Sequence, residues 1–483
     1  MTIHKDHPKG LFLLFFVEMW ERFSYYGMRA LLVLYMVHFL MFTDEKAVHV
    51  YGWYTGMVYL TPMLGGYIAD RYLGQRRSIL IGGSLMALGH FAMAIPSMTF
   101  FFGAMMLLIM GNGFFKPNIS TIVGKLYEEN DPRRDAGFTI FYMGINLGAM
   151  FSPFVCSTLG EKVGWHWGFG AAGVGMVLGL IMYMWGQKAL LGEHGLKPAK
   201  PQANYWVPVV LVALMALLLT ANAFEFNGFL TLSLLPKWVY IMLGMLAGVG
   251  LLYAYAASPA KSSLTRVEKQ RMAVIFIMLF FSTFFWTAFE QAGSSLTLFA
   301  DSETNRNLVL FGWHFLVPAG WFQSLNPFYI VVLAPLFSRM WIDLGERNRE
   351  PSSPIKFSMG LGLLALGFIV MVAAAASYQK YGPVSMLWLA AVYLFHTLGE
   401  LCLSPVGLSL VTKLAPAQFG SLLMGTWFLS SSAAGFLGGF FAGNYDKMSH
   451  TSFFLIPTAT GLFSAALLLI MTPKVRKWMH GVH

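Results

Sequence analysis

The sequence predicts an all-α integral membrane protein with fourteen transmembrane helices, built as two six-helix bundles with two additional helices between them. Three observations lead to this class: the composition, the number of long apolar segments and the recurrence of charged residues inside them. The 483 residues are 57% apolar and only 11% charged, with a mean hydropathy of +0.61. Soluble domains are about one-quarter charged, so this composition indicates a chain that crosses a lipid bilayer many times.

Apolar windows of about 20 residues, long enough to cross a bilayer, occur along the whole chain. We expect spans near 11–41, 48–69, 78–96, 100–124, 137–159, 165–187, 205–224, 238–257, 271–299, 321–342, 356–377, 384–411, 418–443 and 452–472. Polar stretches with Gly, Pro or Lys after the sixth and eighth spans predict breaks between domains. The predicted domains are a first bundle at 1–190, a linker with two helices at 191–265 and a second bundle at 266–483.

The loops on the two predicted sides of the membrane differ strongly in basic residues. Of the 32 Lys and Arg residues, 23 fall on one side, 6 fall on the other and 3 lie inside spans. Because cytoplasmic loops are enriched in Lys and Arg, we expect both termini in the cytoplasm. The same bias accounts for the formal net charge of +10 without nucleic acid as a partner. The expected location is the cytoplasmic (inner) membrane of a bacterium.

Seven ionisable residues lie inside predicted spans, where each isolated charge costs about 2.5 to 3.5 kcal/mol on insertion scales. They must therefore be paired or face a water-filled cavity. They occur in the first and fourth spans of the first six and of the last six, and they are Glu18, Glu21, Arg22, Arg29, Lys116, Glu290 and Glu400. This recurrence predicts two parallel repeats that face a site near the middle of the membrane.

The signs of these charges are unevenly distributed between the two halves. The first half holds three bases and two acids, and the second half holds two acids. Such a bipolar cavity suits a zwitterion, with its carboxylate near Arg22 and Lys116 and its ammonium near Glu400.

Two cross-bundle ion pairs, Arg29 with Glu290 and Lys116 with Glu400, are predicted to act as gates. An alternative stays open, in which these pairs and the pair Glu18–Arg22 only hold helices together.

Several motifs resemble those of known transporters. The segment from Gly65 to Arg77, between the second and third spans, resembles the short cytoplasmic signature of the major facilitator superfamily. The first-span pattern Glu18-x-x-Glu21-Arg22-Phe23-x-Tyr25-Tyr26-Gly27 resembles the signature of the proton-dependent oligopeptide transporter family. Further segments resemble patterns of that family in the same order, and they are 111–118, 141–148, 289–291 and 399–407. The inserted pair 205–257 is also similar to that of prokaryotic members.

The resemblance implies a major facilitator fold and a proton-coupled symporter that imports di- and tripeptides by alternating access, with the proton gradient in place of any cofactor. The predicted substrate-binding residues are Arg22, Tyr25, Tyr26, Arg29, Tyr59, Lys116, Asn146, Asn326, Glu400 and Trp427. Among them, the tyrosines, the asparagines and Trp427 rest on resemblance alone, and such side chains also serve as contacts between helices. The protein is expected to act as a monomer.

We expect the coupling proton on Glu21, with Glu18 as its neighbour and Glu290 as a further candidate. Two carboxylates one helical turn apart disfavour joint ionisation, while nearby bases favour it. Animal members of the family carry a histidine in the second helix, and the corresponding position here is Gly52. Carboxylates are then the groups available to carry the proton.

Two alternatives to peptide transport remain at this stage. The same fold carries nitrate, another small anion or peptide-like drugs in relatives of the family. An intramembrane enzyme is the other alternative, but the spans show no His-rich metal box, Asp pair or Ser/His arrangement. His90 and His396 have no second ligand at metal spacing, and Cys156 and Cys402 suggest neither a disulfide nor a metal site.

Overall fold

The fold was analysed in a computed structural model, which describes residues 7–128, 131, 133–197, 264–310, 312–416 and 420–481. Helices dominate this part of the chain, as predicted. The two spans expected at 205–224 and 238–257 lie outside the described residues, so their existence stays a prediction.

The described helices of the first half match the first six predicted spans. They are α1 (Lys9–His38), α2 (Asp44–Leu60), α3 (Pro62–Ile68), α4 (Gln75–Met93), α5 (Met98–Lys125), α6 (Arg134–Lys162) and α7 (Trp165–Leu190). The second span consists of α2 and α3, which are separated at Thr61 just before Pro62. A π-helical turn at Ala69–Leu73 connects α3 to α4.

The described helices of the second half match the last six predicted spans. They are α8 (Arg266–Phe289), α9 (Ser295–Ser302), α10 (Leu325–Glu346), α11 (Ser353–Tyr381), α12 (Met386–Leu414), α13 (Gly420–Ala442) and α14 (His450–Met479). The span predicted as continuous at 271–299 is broken by a 3₁₀ turn, Glu290–Gly293, between α8 and α9. A capping box at Thr265 and Glu268 starts α8.

Four short strands lie between these helices. They are β1 (Thr304–Asn305), β2 (Asn307–Leu310), β3 (Trp313–Leu316) and β4 (Val384–Ser385). β1 pairs with β4 in parallel, with Thr304 opposite Val384, and β2 and β3 form a second two-stranded sheet. Two further 3₁₀ turns, Ala319–Ser324 and Tyr445–Lys447, precede α10 and α14.

Eight of the described helices are long and apolar enough to cross a membrane by themselves. The first helix, α1, is not among them because of its four internal charges. Yet most of α1 is buried by protein, including Glu18, Glu21, Arg22 and Arg29. Its position is therefore set by the helices around it rather than by contact with lipid.

The described residues form two compact units that do not follow the chain order strictly. The first unit contains described residues within 1–41, 57–232 and 315–331, and the second contains those within 42–56, 233–314 and 332–483. Two short segments, 42–56 and 315–331, thus belong to the unit of the opposite half of the chain. The predicted contiguous domains at 1–190, 191–265 and 266–483 stay predictions, since most of the linker is outside the described residues.

Specific contacts hold the exchanged segment 315–331 in the first unit. Glu161 at the end of α6 accepts hydrogen bonds from the backbone amides of Ala319 (2.8 Å) and Gly320 (3.0 Å). The indole of Trp321 donates to the hydroxyl of Thr158 at 2.9 Å. The carboxylate thereby satisfies two N–H groups at the start of a 3₁₀ turn, where no backbone acceptor is available.

Glycines on α6 bring α1 close in the first unit. A Cβ at Gly144 would lie 2.8 Å from the carbonyl oxygen of Phe15, and one at Gly148 would collide with the carbonyl of Met19. These glycines are four residues apart and share one face of α6. Small residues on such a face let two membrane helices pack backbone to backbone. The close approach leaves the ionic face of α1 directed at α5.

Candidate functional site

Four charged side chains of α1 and α5 form a compact cluster inside the first unit. The Lys116 ammonium donates to Glu18 Oε1 at 2.6 Å, and Arg22 Nε lies 3.4 Å from the same oxygen. The Arg22 guanidinium also binds both carboxylate oxygens of Glu21. The structure therefore brings together the four predicted residues Glu18, Glu21, Arg22 and Lys116, which we call the charge cluster.

The helical spacing of these residues explains the arrangement. Glu18, Glu21 and Arg22 are separated by three and four positions, so they lie on neighbouring turns of one face of α1. Glu18 and Glu21 are fully buried, whereas the Lys116 side chain remains 30% exposed. Lys116 is thus the member of the cluster most open to a ligand or to water.

Asn112 is a member of the site that sequence reasoning missed. Its Oδ1 accepts a hydrogen bond from Arg22 Nη2 at 3.3 Å, and its Nδ2 donates to the carbonyl oxygen of Val58 at 3.0 Å. The amide thereby fixes the guanidinium relative to two helices. Asn112 lies one turn before Lys116 on α5, and this i, i+4 spacing is the signal that could have identified it.

The formal charges of the cluster balance. Glu18 and Glu21 contribute two negative charges, and Arg22 and Lys116 contribute two positive charges. Glu18 Oε2 is nevertheless buried and has no hydrogen-bond partner among the described residues. A buried unsatisfied carboxylate oxygen is costly, so the cluster keeps one acceptor that an added proton or donor could satisfy.

Aromatic rings continue this ionic face along α1. The Arg22 guanidinium carbon lies 4.9 Å from the centre of the Tyr25 ring and 6.0 Å from that of Tyr26. The Arg29 guanidinium carbon lies 5.7 Å from the Tyr26 ring. Tyr26 therefore stands between the two arginines and contacts both by cation–π interactions. The structure places Tyr25, Tyr26 and Arg29 next to the cluster, and their role in substrate binding stays a prediction.

In the second unit, Glu290 lies at the break between α8 and α9. It is buried, with only 7% of its surface exposed, and its Oε2 accepts a hydrogen bond from the hydroxyl of Tyr51 at 3.4 Å. The next residue, Gln291, donates to the carbonyl oxygen of Gly438 at 3.1 Å. Tyr51 was not predicted, because a tyrosine near a span end has no pattern that separates it from ordinary membrane-interface residues.

The remaining predicted residues have varied surroundings. Asn146 donates to the carbonyl of Tyr142 in its own helix at 3.0 Å. Trp427 packs against Gly407, and its ring centre lies 6.2 Å from that of Phe357. Tyr59 and Asn326 are partly buried in the first unit, and Glu400 is buried in the second. Their roles in binding stay predictions.

The two predicted gates each join residues from different units. Arg29 and Lys116 belong to the first unit, and Glu290 and Glu400 belong to the second. Both gates therefore stay predictions. In the described residues, no group of three or more His, Cys, Asp or Glu side chains could hold a metal ion.

Gly52 occupies a position with no room for a side chain. A Cβ there would collide with the Cα of Gly439, and it would lie 2.8 Å from the carbonyl oxygen of Gly435. The facing glycines of α13 are equally constrained, since a Cβ at Gly435 would lie 2.5 Å from the amide nitrogen of Gly56. A histidine side chain at position 52 is sterically excluded, because the backbone of α13 packs directly against this position.

The chain is similar to known proteins along nearly its whole length. A model of the POT family matches residues 76–462. The chain is 38% identical to the peptide transporter YePEPT of Yersinia enterocolitica, over 98% of this chain and 96% of that protein. It is 35% identical to a di-/tripeptide transporter of Lactococcus lactis, over 98% and 97%. It also superposes on a crystal structure of the peptide transporter POT in complex with sulfate, with a TM-score of 0.86, 38% identity and coverage of 99% and 97%.

Substitution of Gly52 tests how tightly α2 and α13 pack at this position. Gly52→Ala should destabilise the protein by about 1–3 kcal/mol, because the added methyl group overpacks a contact between backbones. The measurement is the thermal unfolding midpoint of the purified protein in detergent. Gly103→Ala is the matched control, since a Cβ at Gly103 meets no described residue within 4 Å. If the two variants unfold at the same temperature, the contact at Gly52 is not as tight as described.

Proposed function

The chain belongs to the POT family, and on that premise we propose that it is a proton-coupled symporter that imports di- and tripeptides by alternating access. Peptide transport by relatives that align over nearly the whole chain supports this proposal. Family membership also accounts for the major facilitator fold and excludes the intramembrane enzyme considered above. The observation that carries the mechanism is the balanced charge cluster of Glu18, Glu21, Arg22 and Lys116.

Charge balance supplies the coupling between proton and peptide. With both carboxylates ionised, the cluster is neutral and its bases are occupied by its own acids. A proton on one carboxylate leaves a net charge of +1 and weakens the hold on a base. A peptide carboxylate then restores neutrality. Each ligand therefore favours the other, and this reciprocity is a thermodynamic requirement of any such coupling.

We assign the coupling proton to Glu21. Both oxygens of Glu21 bind Arg22, so protonation of this carboxylate frees the planar donor fork that suits a peptide carboxylate. Glu18 instead bridges Lys116 and Arg22 and keeps the two bases together. Loss of the proton to the cytoplasm restores the Glu21–Arg22 pair and displaces the peptide.

The second unit supplies the acidic end of the site in this proposal. The peptide ammonium meets Glu400, which lies on the helix equivalent to that of Lys116 in the other half. Arg29 and Glu290 form a gate that opens when Glu290 is protonated. The burial of Arg29 beside Tyr26 and the position of Glu290 at a helix break support these roles.

The protein lies in a membrane, and we place it in the bacterial inner membrane with both termini in the cytoplasm. The bias of basic residues toward one side supports this orientation. Each polypeptide holds both acidic and basic parts of the proposed site, so a monomer suffices for transport.

The first test is uptake of a labelled dipeptide into liposomes, with and without an inward proton gradient. The parent protein should accumulate peptide only with the gradient. Glu21→Gln should bind peptide and exchange it between equal pools, but it should lose gradient-driven accumulation, because the amide mimics the protonated acid. Glu193→Gln, an exposed acid-to-amide change far from the cluster in sequence, is the control and should behave like the parent. Accumulation that persists in Glu21→Gln would move the coupling proton to Glu290.

The second test concerns the two ends of the peptide. Lys116→Ala should weaken dipeptide binding about tenfold or more, since a hydrogen bond between charged groups is lost. The exposed lysine at the end of α7 provides the control, and Lys188→Ala should leave binding unchanged. N-acetylated dipeptides should compete poorly with the parent's substrate if Glu400 binds the ammonium. Equal competition by blocked and free dipeptides would exclude that role for Glu400.

The third test concerns the proposed gate. Arg29→Glu should abolish uptake, because it places two acids where the gate requires an ion pair. The double variant Arg29→Glu with Glu290→Arg restores opposite charges and should recover dipeptide binding at least in part. Binding and uptake are compared at equal amounts of purified protein. A double variant as defective as the single one in both measurements would show that the two residues do not act as a pair.

A further inference from the structure

A further buried carboxylate, which has no role in the proposal above, lies at the end of α9. Glu303 is only 2% exposed. Its Oε1 lies 2.6 Å from His450 Nδ1 and accepts a hydrogen bond from the Tyr445 hydroxyl at 3.0 Å. Its Oε2 is buried and has no hydrogen-bond partner in the part of the chain that the structure describes. We call Glu303, Tyr445 and His450 the outer triad.

The two rings of the outer triad are held in fixed positions. The imidazole of His450 stacks on the Tyr445 ring, with centroids 4.3 Å apart and planes at 10°. Tyr445 belongs to the 3₁₀ turn before α14, and His450 is the first residue of that helix. Burial and the neighbouring Glu303 raise the pKa of Tyr445 well above its usual value. Tyr445 is therefore a constant hydrogen-bond donor to the carboxylate.

The backbone around Glu303 joins three connections at the same end of the second unit. Its carbonyl oxygen accepts a hydrogen bond from the amide of Val384 at 3.0 Å. The next residues form β1, which pairs with β4. The side chain binds the connection between α13 and α14. Glu303 thus links the segments 302–305, 382–386 and 443–450, which we call the triad junction.

The charges around the triad make a bound proton favourable. Asp446 and Asp44 lie close enough to Tyr445 to interact electrostatically, and both are acidic. Lys447, on the same turn, is already paired with Glu45 at 2.6 Å. In the described part of the chain, His450 is the basic side chain within ion-pair distance of Glu303, and it is cationic only when it holds a proton. A buried carboxylate without a cationic partner is strongly disfavoured.

We propose that Glu303 and His450 form a second proton-binding site, which holds the triad junction together while the proton is bound. The proton comes from solution, which reaches the pair through the 24% of the His450 side chain that is exposed. It is shared between the imidazole and the carboxylate, which lie 2.6 Å apart. The bound proton stabilises the junction at acidic pH, and this stabilisation is lost as the pH rises. The site does not depend on the proposed transport function.

The test is hydrogen exchange of the full-length protein in lipid nanodiscs, compared between about pH 5 and pH 8, where histidine commonly changes its charge. After correction for the intrinsic pH dependence of exchange, amides of 302–305 and 443–449 in the parent should lose protection several-fold at the higher pH. In His450→Gln, the protection of these backbone amides should be the same at both pH values, because the glutamine side chain cannot take up a proton. His166→Gln, an exposed histidine at the start of α7, is the control and should respond like the parent.

A parent protein without this response, or a His450→Gln variant that keeps it, would overturn the proposal. Glu303→Gln is the second variant if His450→Gln does not fold. Its amide protection should also be the same at both pH values, and a variant that still responds to pH overturns the proposed site.

The same experiment in right-side-out vesicles, with only the external pH changed, tests on which face of the membrane the triad junction lies. The junction lies at the end of α14 opposite the C-terminus, so a response to internal pH alone would contradict cytoplasmic termini.

Discussion

The central constraint on this structure is that two acids and two bases on α1 and α5 must neutralise one another away from water. Arg22 lies between Glu18 and Glu21 on one helix, and a single base from outside, Lys116, completes the balance. Transfer of any one of these charges alone into hydrocarbon would cost several kcal/mol. Much of the first unit can be understood as the means to keep them together. The glycines of α6 let α1 approach closely, and Asn112 holds the guanidinium at a fixed angle.

Backbone contact through glycine recurs in the second unit with a different consequence. Gly52 and Gly56 of α2 face Gly435 and Gly439 of α13, so these two helices approach without intervening side chains. Close backbone packing of this kind replaces the hydrophobic effect, which does not drive helix association inside lipid. It also limits which side chains the second helix can present. An imidazole does not fit at position 52, which supports the proposed assignment of the coupling proton to a carboxylate.

Local patterns predicted the helices and the buried charges well, because both depend on residue type and short spacing. Glu18, Glu21 and Arg22 could be placed on one face from their positions in α1 alone, and Lys116 stood out as a base in an apolar span. Features that depend on tertiary contact were not predicted. The break at Glu290, the hydroxyl of Tyr51 beside it and the amide of Asn112 all acquire their roles from residues distant in sequence. Glu303 and His450 were not predicted to form a site, because charged residues are common at the ends of membrane spans. The fold brings these two side chains together.

The exchange of segments 42–56 and 315–331 between the two units has a consequence for biosynthesis. A ribosome that has finished α6 has made Glu161 but not the amides of Ala319 and Gly320 that it binds. At about 5–20 residues per second, these partners follow roughly 8 to 30 seconds later. During that interval the first unit is incomplete. Residues 42–56 have been made, but the rest of the unit to which they belong has not yet been fully synthesised. Neither half of the chain can therefore mature as a separate product, and assembly in the membrane must finish after translation has passed the first helix of the second half.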